Sequence, residues 1–360
     1  AFDGSVGEVL HEYFQRDASQ AKLSRKFKLY YRLRPFIPIP LRQLLQRGRN
    51  GSMEVPDDWY IPRGFIDDFR AAASKNASKL VIHPWPDGEE VAASLTHDVE
   101  TAQGLKLVDR LAAIEEECGL RSAWNIIPFK YGVDQGLLKD LQQRGHEIGV
   151  HGYNHDGRLF ESERTFRRRA SKINETLSSY GSSGFRAPMV HRNLDWLQQL
   201  EIEYDASCFD VDPFQAMPGG VGSVWPFMAG RFVELPYTLP QDHTLLVSLG
   251  ETTPRIWIEK FNEVRRLAGM AMLITHPDYL DTPKKLDVYR AFLEHLVDQP
   301  RCWHSLPQEI ADWWRQREEL EIVEDPSAPR IVGEQADRAR LISLGDLQAD
   351  SLNREPAVNH

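Results

Sequence analysis

Val91-Ala92-Ala93-Ser94-Leu95-Thr96 is a short apolar run that reads as a β-strand, and it leads directly into His97-Asp98-Val99-Glu100. In an extended segment alternate residues share a face, so Asp98 and Glu100 point together while His97 and Val99 point away. A polar, helix-like stretch, Gly104 to Glu117, comes next. The same unit recurs downstream. Strands are predicted at Ser122 to Ile127, Glu147 to His151, Gly184 to Ala187, Ile202 to Ala206, Arg231 to Leu235 and Ala271 to Thr275, with helices at Gly136 to Arg144 and Glu161 to Tyr180. This alternation predicts an α/β fold, an irregular (β/α)7-type barrel related to the TIM barrel. Catalytic groups of such barrels sit where strands end and βα loops begin. Asp98 and Glu100, His151, Arg186 and His276 each close a different predicted strand, which predicts one shared mouth.

Two histidines four apart, His151 and His155, meet on one face if the chain makes a helical turn there, close enough to chelate one ion. Alone, that spacing is a weak signal; its position after a strand strengthens it. Glu100 has a second reading as an N-terminal cap for a helix over Ala102 to Leu111. His97 reads as structural. Two carboxylates at a strand end need a partner for their charge.

Together, the ordered motifs Thr96-His97-Asp98-Val99-Glu100, His151-Gly152-Tyr153-Asn154-His155, Arg186-Ala187-Pro188 and Ile274-Thr275-His276 resemble those of the polysaccharide deacetylases, carbohydrate esterase family four. The resemblance covers roughly Val91 to Trp314. It implies a divalent metal ion, Zn²⁺ in the first instance, bound by Glu100, His151 and His155. It further implies Asp98 as catalytic base, Arg186 as the group orienting it, and His276 as general acid. The family's usual first motif is Thr-Phe-Asp-Asp-Gly; here Val99 takes the second Asp position, and Glu100 falls where an Asp-Val-Asp subgroup keeps its metal carboxylate. Met189 stands where the family often has an aromatic residue. Asp205 lies where relatives keep an acidic residue near the site, and it equally suits a turn cap. The implied partner is an acetylated sugar or polysaccharide. Trp225 and Tyr279 are candidate stacking residues for a sugar ring, with Phe227 and Tyr237 beside them in the sequence, and Asp242 is a candidate contact for its hydroxyls. An amide or ester hydrolase with a non-sugar substrate, or a glycan-binding protein without catalysis, are the other readings.

The 360 residues divide into an N-terminal extension (1–80), the barrel (81–318) and a C-terminal appendage with a predicted hairpin around Arg330 to Ser343. The net charge of −10 argues against a nucleic-acid binder. Cys118, Cys208 and Cys302 are too few and scattered for a disulfide framework, which with the absence of a long apolar run leads to the expectation of a cytoplasmic protein. Charge is segregated, because Ala21 to Asn50 holds nine Lys or Arg and no acid. That basic arm is expected to pack on the barrel through Tyr30, Tyr31, Phe36 and Ile37; weak contact with an anionic membrane surface is the alternative.

Overall fold

In the computed structural model the described residues are 7–9, 11–13, 24–33, 37, 39–215, 217, 220–324, 326 and 328–349. Their strands are β1 (Leu80–Ile82), β2 (Val91–Val99), β3 (Ser122–Ile126), β4 (Glu147–His151), β5 (Gly184–Arg186), β6 (Tyr204–Asp205), β7 (Phe227–Ala229), β8 (Phe232–Glu234), β9 (Met270–Thr275), β10 (Cys302–His304), β11 (Glu321–Val323), β12 (Arg330–Val332) and β13 (Leu341–Ser343). The principal sheet runs β7-β8-β6-β5-β4-β3-β2-β9, and β10 lies along the first three residues of β2. Every pairing in it is parallel except that of β7 with β8. Seven parallel strands, β9-β2-β3-β4-β5-β6-β8, thus curl into the expected barrel. Instead of a ladder between β8 and β9, the backbone N–H groups of Thr238 and Leu239 both donate to Met272 O, which closes the ring.

β2 and β9 are buried along their whole lengths, as parallel strands covered on both faces must be. Helices Val108–Glu117, Gln135–Gln143, Glu163–Tyr180, Arg255–Arg266, Pro283–Val297 and Pro307–Glu318 form the outer layer. Side-chain caps start several helices: Thr101 accepts from Gly104 N, Asp134 from Gly136 N, and Ser162 from Thr165 N. The first cap belongs to a short turn, Ala102–Leu105, which splits the single helix expected over Gly104 to Glu117. Thr101 fills this capping role, and Glu100 does not.

Helix Arg63–Lys75 and the pair β1–β13 cover the floor of the barrel, opposite the mouth. Helix Arg63–Lys75 buries Phe65 and Phe69 against Trp225. Lys260 Nζ donates to both Tyr60 O and Asp210, a fully buried ion pair that ties this part of the extension to the barrel. β1 pairs antiparallel with β13, Leu80 opposite Ser343, so extension and appendage share a sheet. The predicted hairpin is therefore corrected: β12 turns back on β11, while β13 leaves to join β1. A hairpin signal marks a turn, and here two nearby strands had a distant competitor. Of the residues expected to bury the basic arm, Tyr30 and Ile37 are half-buried; the Tyr31 side chain and Phe36 lie outside the described set. No helix among the described residues is long and apolar enough to cross a membrane.

His83, just after β1, is buried at this seam and accepts a hydrogen bond from Trp85 N through Nδ1. Burial, reinforced by the nearby charge of Arg340, lowers its pKa to about 3. An unfolded chain protonates this imidazole near ~6.5, so the unfolded state binds more protons between the two values, and stability falls as pH drops through that window. Going from pH 7 to pH 5 is expected to cost about 2 kcal/mol through His83. In His83→Asn, denaturant titrations at the two pH values should lack that increment; an unchanged pH slope would remove His83 as its source.

Candidate active site

The mouth is built where β2, β3, β4, β5 and β9 end. Asp98, near the end of β2, is in register with Asn125 on β3, whose Nδ2 donates to Asp98 Oδ1 at 3.1 Å. From β5, Arg186 Nη1 donates to the same oxygen at 3.0 Å. Oδ1 is thereby held from two sides, and Oδ2 stands 3.7 Å from His151 Nε2. Burial pushes the Asp98 carboxyl up, but the charges of His151, Arg186 and His276 outweigh it and hold the pKa below the ordinary value. The approach of β3 to β4 requires a residue without a side chain: a Cβ on Gly149 would lie 2.2 Å from Asn125 Oδ1.

Glu100, His151 and His155 bring one ligand atom each within 4.8 Å of one another. His155 Nε2 is 2.8 Å from Glu100 Oε1. His151 Nδ1 sits 3.1 Å from Arg186 O, a carbonyl that can only accept, so Nδ1 donates there and the ring is oriented with Nε2 towards the site. That buried Nε2 has no hydrogen-bond partner among the described residues and lies 4.0 Å from Glu100 Oε1. The three donors fit a divalent ion: burial pushes the Glu100 carboxyl up, but His155 and His151 outweigh it and hold it well below its usual range, while burial lowers the pKa of His155. The backbone differs from the helical turn read in the sequence. His151 ends a strand, Gly152 and His155 take left-handed conformations (φ 63° and 58°), and this bent loop sets the imidazole rings 5.5 Å apart.

His276 follows β9. Its Nδ1 lies 2.7 Å from Asp242 Oδ1, its backbone N–H donates to Asp242 Oδ2, and its Nε2 is 3.9 Å from Glu100 Oε1. Burial works against a charged imidazole, but Asp242 overcomes it and raises the pKa to about 9. Asp242 is wholly buried and spent on this contact, which corrects its reading as a group reaching for substrate hydroxyls. The ring of Tyr279 is half-buried and 4.9 Å from that of His276, at the mouth. Trp225 is at the other end: fully buried, it donates its indole N–H to Leu267 O and Ala268 O below β9. No face of it is left for a sugar. Phe227 is half-buried, and Tyr237 is buried against Phe209.

Asp205 is also buried, accepting from Ser207 Oγ at 2.6 Å beside Glu234, and reaches the site only through the nearby Arg186 charge. Burial and the neighbouring Asp205 hold the Glu234 carboxyl well above its usual value. Other contributors went unread in the sequence. Asn125 was one, although a polar side chain within the apolar run Ser122 to Ile127 was a signal. Phe129, exposed, lies tilted against Tyr153 with ring centroids 4.5 Å apart and forms an aromatic ledge between the β3 and β4 loops. Behind the mouth, His97 faces away from Asp98 as the alternation predicts. It is stacked on Trp124 at 3.9 Å, with Nε2 2.6 Å from Glu115 and Nδ1 2.7 Å from Thr275 Oγ1. Tyr289 and Ser122 also donate to Glu115.

No family model matches the chain, and no curated protein matches it. Similar solved structures exist. Two carry provisional assignments as polysaccharide deacetylases: one from Mycobacterium smegmatis (TM-score 0.56, 22% identity, 65% of this chain and 93% of that one) and one from Pseudomonas aeruginosa PAO1 (0.50, 15%, 65% and 94%). A third is Puue allantoinase, at TM-score 0.51 and 15% identity over 65% of this chain and 93% of that one. The matched share, the curled parallel sheet and the mouth at its strand ends agree in one conclusion: this chain has the fold of the polysaccharide deacetylases.

Proposed function

We propose that the chain is a metal-dependent hydrolase that removes an acetyl group, N- or O-linked, from a sugar or glycan. One observation carries this reading: a single mouth brings together Asp98 held by Arg186 and Asn125, a trio of Glu100, His151 and His155 close enough to hold one ion, and His276 paired with Asp242. A structural hydrogen-bond network would not leave the buried His151 Nε2, 4.0 Å from Glu100 Oε1, without a partner. Zn²⁺ suits two imidazoles and a carboxylate.

A divalent ion bound there supplies Lewis acidity, which makes water more acidic and polarises an acyl carbonyl. The chain's own groups do the rest. Asp98 Oδ2 takes a proton from the attacking water, while Arg186 and Asn125 fix Oδ1 so that the free oxygen keeps its aim. As the tetrahedral adduct collapses, His276 Nε2 gives its proton to the departing nitrogen or oxygen, and acetate leaves. Asp242 keeps that imidazole charged and oriented. Tyr279 and the Phe129–Tyr153 ledge offer apolar faces to a sugar ring at the rim.

The test is acetate release from acetylated glycans before chelation, after it, and after readdition of Zn²⁺, Co²⁺ or Mn²⁺. Release that falls to background with chelator and returns with metal is expected. Because one neighbour of this fold is an allantoinase, allantoin belongs in the panel. Metal-loaded protein that binds acetylated glycan and releases no acetate would turn the reading into that of a binding protein.

A further inference from the structure

Two helices of the basic arm, Arg25–Leu33 and Ile39–Gly51, leave Leu29, Leu33, Leu41, Leu44 and Leu45 46–66% exposed. The spacings are helical, 29 with 33 and 41 with 44 and 45, so each helix carries a narrow apolar stripe. Arg25 and Lys26 are exposed on the first helix, and the sequence places Lys28 and Arg32 on the same helix and Arg42 and Arg47 on the second. The second helix has another side that is docked. It lies against His243–Leu249, Asn50 is buried, and Arg49 Nη1 donates to Phe214 O at 3.1 Å. An arm attached to the barrel through its apolar residues would bury the leucines. Among the described side chains Tyr30 and Ile37 are half-buried and the C-terminal end is docked, while these leucines face outward.

Five exposed leucines on two successive helices are more apolar surface than folded proteins usually leave open without a use. We infer that these two helices are a docking surface for an anionic lipid bilayer. The leucines enter the boundary between headgroups and acyl chains, and the exposed Arg25 and Lys26 meet lipid phosphates. Charge complementarity selects that occupant. In a chain with net charge −10, residues 21–50 hold nine cations and no carboxylate, so nothing in the arm repels an anionic surface. A second copy meeting this face arm to arm would cover the leucines but would set cations against cations. The inference is independent of what the barrel hydrolyses.

The test is co-sedimentation of the full chain with vesicles of phosphatidylcholine alone or with about one-third phosphatidylglycerol, at low and high salt. Binding to the anionic vesicles is expected, weakening by at least about tenfold as salt shortens the screening length. Leu44→Glu/Leu45→Glu and, separately, Arg25→Glu/Lys26→Glu should each weaken it by about tenfold or more, with melting temperature and acetate release unchanged. No anionic-vesicle binding, equal binding to neutral vesicles, or binding indifferent to both variants overturns the inference. So does a concentration-dependent dimer of the free chain that the leucine variant abolishes, which would make the face a self-association surface.

Discussion

Asp98→Asn is expected to lower kcat by about 10²- to 10⁴-fold while the protein still takes up metal, since that is the usual worth of a general base. The amide is nearly isosteric and its oxygen can still accept from Arg186 Nη1 and Asn125 Nδ2, so the strand ends stay in place. What disappears is the proton-accepting oxygen beside His151 Nε2. Metal content by elemental analysis, acetate release and a thermal melt separate the possibilities. Full metal loading with activity within about tenfold of the parent would move the base role to another group.

Arg186→Met should be the most damaging substitution for stability, at about 3–5 kcal/mol, the range for breaking a buried ion pair from one side. The guanidinium is buried and donates to Ala206 O, Thr96 Oγ1 and Asp98 Oδ1. Methionine fills some of the volume, yet strands Asp98 and leaves Asp205 without its nearby cation. Lysine is not a substitute, because one ammonium cannot reproduce a planar fork serving three acceptors. Arg186 is among the charges holding the Asp98 pKa down, so its loss lets that pKa rise. Activity surviving in the variant should then fade at a higher pH on its acid side. A melt showing less than about 1 kcal/mol of destabilisation, or an unmoved acid limb, would refute this account of Arg186.

What was legible in the sequence follows from range. Glu100, His151, Arg186 and His276 could be placed at one mouth because each closes an apolar run and strand ends of a parallel barrel converge. The alternation of His97 with Asp98 is local too, and the structure keeps it. Asp242 was misread because its partner is His276, 34 residues away, and a single sequence does not reveal that a carboxylate will meet an imidazole rather than a ligand. Trp225 was misread because an aromatic residue near a strand looks alike at either end of a barrel. β7 and β10 escaped notice at three residues each, too short for a period to emerge. The HxxxH motif had the right residues and the wrong backbone. A bent loop with left-handed Gly152 and His155 replaces the helix, and at Gly152 a Cβ would lie 2.3 Å from Pro188 Cδ.

The pairing of β1 with β13 bears on how the chain matures as it is synthesised. β1 emerges from the ribosome before any barrel strand, and its partner emerges after all of them. Throughout translation β1 must therefore wait with an open edge, the kind of strand that joins neighbouring chains when left uncovered. At three residues it is short, which limits that hazard. Completion of the floor is a late event, timed by the arrival of Leu341 to Ser343, and the barrel has to hold its shape unsealed until then.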